Sequence, residues 1–354
     1  MRHAVVMLEE RCAIEEKARL SYIDIGKGIG IIFVVLGHLF RDNPLKIWIY
    51  SFHMPLFFFI SGYLNARARE NSLRELLQKR LKSLMLPYFG FGAITYLYWL
   101  LIEHRFLTDP SPAGLFRPII GILVGTCEDG WLRFNPVLWF LPCLFVVEIS
   151  FASIRKLRTS TWMTVAVLAC ACTGCWIART PWLAVPWSAN IALTGVSFYA
   201  VGFLVCRRGL CDGLSTAGSF LLLSIAIVVN VASSHKNGPV NMAHGQYGNC
   251  LLYYIGALSG IAFIYLASRL IGRGTMLSRI GRDSLVIFCI HQQIFRIILK
   301  LSSVVTRLDM NGIRDSAVGS LGITAMTVAI ALCFASIIRL HASILIGTPS
   351  QAAR

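Results

Sequence analysis

The chain has 354 residues, of which 56% are hydrophobic and only 14% charged, and its mean hydropathy is +0.66. A composition this apolar excludes an ordinary water-soluble domain and points to a protein that lives in a bilayer. The formal net charge of +16 would suit a nucleic-acid binder, but the basic residues are scattered over short stretches between apolar runs, so no nucleic-acid partner is expected.

Ten apolar segments have roughly the 17 to 25 residues that cross a bilayer core as helix. In chain order they are Ile23–Phe40, Ile47–Leu64, Leu84–Phe106, Val137–Ile154, Trp162–Ala178, Ala189–Val205, Leu214–Ala232, Leu251–Leu270, Ser284–Leu301 and Ser316–Ile338. Backbone groups in lipid must pair internally, so segments of these lengths are helices. The expected fold class is all-α, a polytopic membrane bundle of about ten transmembrane helices. The run Pro118–Val124 is too short to span and reads as interfacial or re-entrant.

Charge placement predicts the orientation. With a cytosolic amino terminus, and with Arg105 and Arg269 counted in the loops they border, the cytosolic segments carry 21 of the 33 Lys and Arg. The opposite side carries 9, and Lys27, Arg296 and Lys300 lie within spans. That asymmetry is the positive-inside bias. The densest basic block, Arg67, Arg69, Arg74, Lys79, Arg80 and Lys82, falls in a loop between the second and third spans. Both termini are then cytosolic, with residues 1–22 as an amino-terminal segment, 23–338 as one transmembrane domain and 339–354 as a carboxy-terminal tail. No linker, repeat or low-complexity tract divides the domain. The apolar stretch Ala4–Leu8 is short and no small-residue cleavage site follows it, so no removable signal peptide is expected. Cys170, Cys172 and Cys175 look like a metal cluster, but steps of two and five scatter around a helix, and packing is the expected role.

A titratable side chain inside a membrane span is costly and reads as functional by default. Lys27 and His38 both lie in the first span, eleven residues apart. Eleven steps of about 100° return a helix to within roughly 20° of its starting face, with a rise of about 16 Å. Lys27 and His38 therefore share a face, and Asp24 falls on the same side. One stripe can thus hold an anion near one membrane surface and a base near the other. The second span holds His53 near its outer end, in Ser51–Tyr63, so His38 and His53 sit at similar depth in an antiparallel hairpin. Pro55 removes a backbone donor there and predicts a kink.

Arg74, Lys79, Arg80 and Lys82 precede Leu86-Pro87-Tyr88 at the entry to the third span. Basic residues at such an edge set topology and touch lipid headgroups, but Arg80 can also clamp phosphate, with Lys27 joining it. Glu148 in the fourth span, and His291 and Arg296 in the ninth, should face the bundle interior. Glu148 either serves the site or pairs with a basic residue to hold the bundle. Phe57, Phe58 and Phe59 read as packing, and His235 and His244 as solvated residues of an outer loop.

These residues resemble the membrane-bound acyltransferase family 3, which O-acylates bacterial polysaccharides and other glycans. The family's first span carries an Arg or Lys, ten residues and then a His, the spacing of Lys27 and His38. Phe52 to Tyr63 resembles the second-span signature of the subgroup that includes fucose 4-O-acetylases, and Arg80 with Leu86-Pro87-Tyr88-Phe89 resembles the third-span entrance. Trp139-Phe140-Leu141 and Ser284 to His291 fit later landmarks. Lys27 stands where many members have Arg.

The resemblance implies acetyl transfer from cytosolic acetyl-CoA to a sugar hydroxyl, at the bacterial inner membrane. It implies His38 as base, His53 as its helper, and Lys27 and Arg80 on the CoA phosphates. Asp24, Glu148, His291 and Arg296 are substrate-binding or structural candidates. No metal is expected, because a thioester is already activated. The expected partners are a glycan or glycolipid acceptor and membrane lipid; a homo-oligomer is left open. The second-span likeness favours a fucosyl or similar deoxyhexose acceptor, as on a nodulation factor, with bulk polysaccharide as its rival. A glycan transporter or flippase is the competing class, since it too would carry His and Arg in its spans.

Overall fold

In the computed structural model, residues 2–41, 43–68, 72–106, 114–180 and 185–347 are described. Helices follow one another as α1 (Arg2–Leu39), α2 (Pro44–Tyr50), α3 (His53–Arg67), α4 (Leu73–Arg80), α5 (Leu86–Tyr98), α6 (His104–Phe106), α7 (Phe116–Val124) and α8 (Phe140–Ile154). They continue as α9 (Ser160–Ile177), α10 (Ala189–Arg208), α11 (Thr216–Asn237), α12 (Cys250–Ile271), α13 (Met276–Arg282), α14 (Ser284–Thr306), α15 (Met310–Asp315) and α16 (Ala317–His341). Among the described residues, ten helical segments are long and apolar enough to cross a membrane. They coincide with the ten expected spans, although α1 begins at Arg2 rather than Ile23 and its apolar stretch starts at Ser21. The short run before Gly125 is the nine-residue α7, which ends on that left-handed glycine. Arg69, residues 107–113 and the end of the tail lie outside the described residues.

Burial separates a centre from a rim. Two thirds of the apolar window in Pro136–Ile154 is buried (67%), against 6% in Ser160–Ile177. α8 is thus a core helix, and α9 is a rim helix that packs on α10 through Gly174. Lipid tails are as apolar as leucine, so helices associate by close packing rather than by escape from water. Glycine supplies the closeness at two seams. Gly62 of α3 lies against the Tyr199 carbonyl of α10, and Gly202 of α10 lies against the Phe59 carbonyl of α3. Gly28 of α1 meets the Leu277 carbonyl of α13, and Gly281 of α13 meets the Asp24 carbonyl. A Cβ at any of the four would collide with backbone. Asp283, between α13 and α14, is ion-paired with Arg339 near the end of α16.

The second span is broken where Pro55 predicts a kink. Asn43 caps α2, its side chain accepting from the Leu45 N–H at 2.8 Å, with Pro44 opening the helix. Pro55 cannot donate to the Ser51 carbonyl and its ring crowds that carbonyl. The chain turns at Ser51 and Phe52, and α3 starts at His53. The Ser51 hydroxyl donates to the Trp48 carbonyl (2.7 Å) and accepts from buried Asn230 (3.1 Å), so the hydroxyl at the break is paired inside the bundle.

The third span departs from expectation. Leu73–Arg80 is helix, not loop, and runs into the span through a π-helical turn at Leu81–Met85. Ser72 caps it by accepting from the Glu75 N–H at 3.3 Å. Its polar composition hides it from a search for apolar runs, yet Ser-x-x-Glu is a capping signal. Pro87 cannot donate to the Ser83 carbonyl, and the helix widens just before it. A second π-helical turn, Trp99–Glu103, ends the span. Such wide turns recur at functional sites.

Candidate active site

The break in the second span carries Tyr50 and His53 on its two lips, their rings 4.7 Å apart. Tyr50 reaches back to the end of α1, where its hydroxyl lies 3.2 Å from His38 Nδ1. On the other side of His38 stands His291 of α14, with ring centroids 5.4 Å apart. Three span histidines named from sequence therefore converge, with Tyr50 joining two of them.

Their ring nitrogens are not equivalent. His53 Nδ1 donates to the Ile49 carbonyl at 3.0 Å. His291 Nδ1 donates to the carbonyls of Phe288 (2.8 Å) and Ile287 (3.1 Å), and its buried Nε2 has no partner. His38 is only half-buried and has its Nδ1 toward Tyr50. In the tautomer that donates Nδ1–H to the tyrosine oxygen, Nε2 is the free basic nitrogen.

The cluster opens on a cavity of about 220 Å³ lined by His38, Tyr50, His53, Trp139, His244 and Gln292 among others. A second cavity of about 500 Å³ shares Tyr50 and Asn241 with it and is edged by Arg41, Lys46 and Gln246. His244 is thus a cavity residue rather than a bystander, whereas His235 lies in the last turn of α11 and not in a loop. Cys127 also lines the first cavity, with Sγ 3.9 Å from His244 Nε2. Burial, with Glu128 adding to it, pushes that thiol up to about 12, so it stays protonated and is no ready nucleophile. Burial likewise lowers His244 below its ordinary value, which favours a neutral ring.

Two arginines brace this end. Arg314 of α15 donates through Nε to the Leu39 carbonyl at 2.7 Å, satisfying the open end of α1 one residue beyond His38. Arg296 pairs with Glu103 (3.2 Å) and donates through Nη2 to Gln292 Oε1 at 2.9 Å.

The opposite ends of α3 and α8 hold a different site. A cavity of about 180 Å³ is lined by Asn65, Lys79, Arg80, Glu148, Arg155 and Lys156, with four apolar neighbours. From His53 to Asn65 along α3 the rise is about 18 Å. Arg80 does not stand free in it, for it is ion-paired with buried Glu148. Lys27 does not line this cavity; it pairs with Asp24 at 3.2 Å on α1. The two cations that the sequence puts on one phosphate site each have a carboxylate partner of their own, and α13 packs against the turn of α1 that carries Lys27. Phe58 and Phe59 are buried packing residues against Phe140 and Tyr265, and Phe57 contacts Phe140 at the edge.

Tyr50, Gln292, Glu103 and Arg314 were not singled out from sequence. Gln292 and Glu103 carried the same signal as the histidines, a polar side chain within a span. Tyr50 gave none beyond its place beside the predicted kink, and Arg314 lies outside every span.

Comparison with known proteins adds to this geometry. Residues 20–338 match the family model of acyltransferase 3, described as an acyltransferase domain. The nodulation protein NolL of Mesorhizobium japonicum is 29% identical over 201 residues, which cover 52% of this chain and 47% of that protein. The nodulation protein NolL of Sinorhizobium fredii is 44% identical over 77 residues, 18% of this chain and 21% of that protein. The chain spans less than half the length of these curated relatives in either match. No solved structure matches.

Proposed function

The chain belongs to the membrane-bound acyltransferase family 3, and from that membership we propose that it moves an acetyl group from acetyl-CoA to a sugar hydroxyl of a glycan or lipo-oligosaccharide. The observation that carries this reading is His38, tethered through Nδ1 to Tyr50 at the edge of a cavity, with Nε2 available as a base. A sugar hydroxyl is a weak nucleophile at neutral pH and needs such a base within hydrogen-bond reach.

His38 Nε2 takes the hydroxyl proton as the sugar oxygen attacks the thioester carbonyl carbon. The carbon–sulfur bond then breaks, and His38 returns the proton to the departing CoA sulfur. His53 borders the same cavity and orients the acceptor. The basic cavity beside Arg80 receives the CoA phosphates, and the Lys27–Asp24 pair lies about 16 Å along α1 from His38. Under the positive-inside orientation the basic cavity opens to the cytosol of a bacterial cell, and the histidine cavity opens to the other face of the inner membrane. Fucose on a nodulation factor is the acceptor that the second-span likeness and the two nodulation-protein relatives support.

The test supplies labelled acetyl-CoA and a fucosylated lipo-oligosaccharide to membranes from expressing and non-expressing cells. The expected product is an alkali-labile acetyl ester on the glycan, formed only with the expressing membranes. Glycan carried across the membrane unmodified, with no ester, would replace this reading with that of a flippase.

A further inference from the structure

The geometry points to Gln292 as a further catalytic residue, the donor that stabilises the oxyanion formed when the thioester is attacked; this rests on the acetyl-transfer reading above. The inference starts from the chain Glu103, Arg296, Gln292. Arg296 Nη1 donates to both carboxylate oxygens of Glu103 (3.3 and 3.2 Å), while Nη2 donates to the side-chain amide of Gln292 at 2.9 Å. A guanidinium has only donors, so the amide atom facing it is the oxygen. That settles which way the amide points. Its NH₂ group therefore faces away from Arg296, on a side chain that lines the histidine cavity.

Gln292 lines the histidine cavity together with Phe288, one helical turn earlier on the same face of α14. His38 lines it too, and His291, the residue before Gln292, stands beside the His38 ring. The amide is therefore a fixed donor in the space that also contains the base. Gln292 and Glu103 are buried, at 4% and 8% exposure, so water competes little at the two ends of the chain, while Arg296 between them is partly exposed. Buried polar networks of this kind are costly unless fully satisfied, and an acceptor bound in the cavity that Gln292 lines would complete this one.

In the reaction, the sugar oxygen bonds to the acetyl carbon and the carbonyl electron pair moves onto oxygen. The Gln292 N–H groups hold that negative oxygen. When the carbonyl re-forms, the carbon–sulfur bond breaks and the sulfur leaves with the proton that His38 took from the sugar. A preorganised donor acts on the transition state more than on the bound thioester, so its loss appears in kcat. Arg296 and Glu103 are positioning residues, since they touch the amide and not the substrate.

The experiment measures kcat and KM for acetyl-CoA on equal amounts of membrane-inserted wild type, Gln292→Glu and Arg296→Met. Gln292→Glu keeps an acceptor for Arg296 and replaces the N–H donors with a carboxylate. Its kcat should fall by about 10²–10³ with KM for acetyl-CoA little changed. Arg296→Met frees the amide to flip and should lose about tenfold in kcat, with KM again unmoved. If Gln292→Glu does not accumulate, Gln292→Met, neutral and of similar volume, should show the same kcat loss. A well-inserted variant with normal kcat, or one changed in KM alone, overturns the oxyanion role while acetyl transfer stands. Absence of any ester from the wild type overturns the acetyl-transfer reading itself, and this inference with it.

Discussion

The two cavities stand at opposite ends of α3 and α8 and differ in what holds their charges. At the histidine end, the rings are fixed through one nitrogen and leave the other open: His53 to a carbonyl, His291 to two, His38 to Tyr50. At the basic end the central arginine is already engaged, in a pair with a buried glutamate. The first arrangement suits proton movement, because a ring oriented through one nitrogen keeps the other for chemistry. The second suits recognition of an anion, because Glu148 holds Arg80 in place while Lys79, Arg155 and Lys156 surround the same opening. Orientation comes from neutral contacts at one end and from a counter-ion at the other.

Substitution should expose that difference. His38→Ala should give the largest effect, a loss of about 10²–10⁴ in kcat with normal membrane abundance, because the half-buried ring contributes a proton acceptor and little packing. Near-normal turnover in the inserted variant would remove His38 as the base.

Arg80→Ala should fail differently. It leaves Glu148 buried without its counter-ion, which costs about 3–5 kcal/mol, so thermal stability and abundance should drop first. Adding Glu148→Gln in the same chain should restore much of that stability. An undiminished melting temperature in Arg80→Ala alone would mean that the pair is not a buried bond of this kind.

The double variant then allows donor binding to be read. A charge-assisted contact to phosphate contributes about 1.5–3 kcal/mol, so apparent KM for acetyl-CoA should rise by about 10- to 150-fold with kcat less affected. An unchanged constant would leave Arg80 a purely structural partner of Glu148. The smallest effect belongs to Tyr50→Phe. It removes one hydrogen bond to His38, worth about 0.5–1.5 kcal/mol, and should lower kcat by about 2- to 10-fold. No change at all would show that His38 is oriented without Tyr50.

The bundle was legible because lipid demands long apolar helices, and the ten segments met that demand on length alone. The approach of His38 to His53 was legible too, since a hairpin joined by a short linker sets both at one depth. Other features were hidden for stated reasons. α4 is amphipathic and carries the Ser72–Glu75 capping signal rather than an apolar run. The packing of α13 glycine to glycine against α1, beside the turn that carries Lys27, joins positions more than 250 residues apart. His244 reaches the site because Asn241 and Gln246 pair their backbones and fold the loop over the cavity. Gln292 was visible only as a glutamine in a span, and its meaning depends on Arg296 and Glu103, which belong to different helices.

The central claim is that donor and acceptor enter from opposite ends of the bundle and meet at His38. Proteoliposomes with the protein in one known orientation test it directly. Labelled acetyl-CoA is confined to the side of the Arg67–Lys82 segment, and the glycan acceptor to the other side. The account predicts acetyl ester on the glycan across the intact bilayer, and none when the two substrates exchange sides. Ester formed only when both substrates share one side would contradict it.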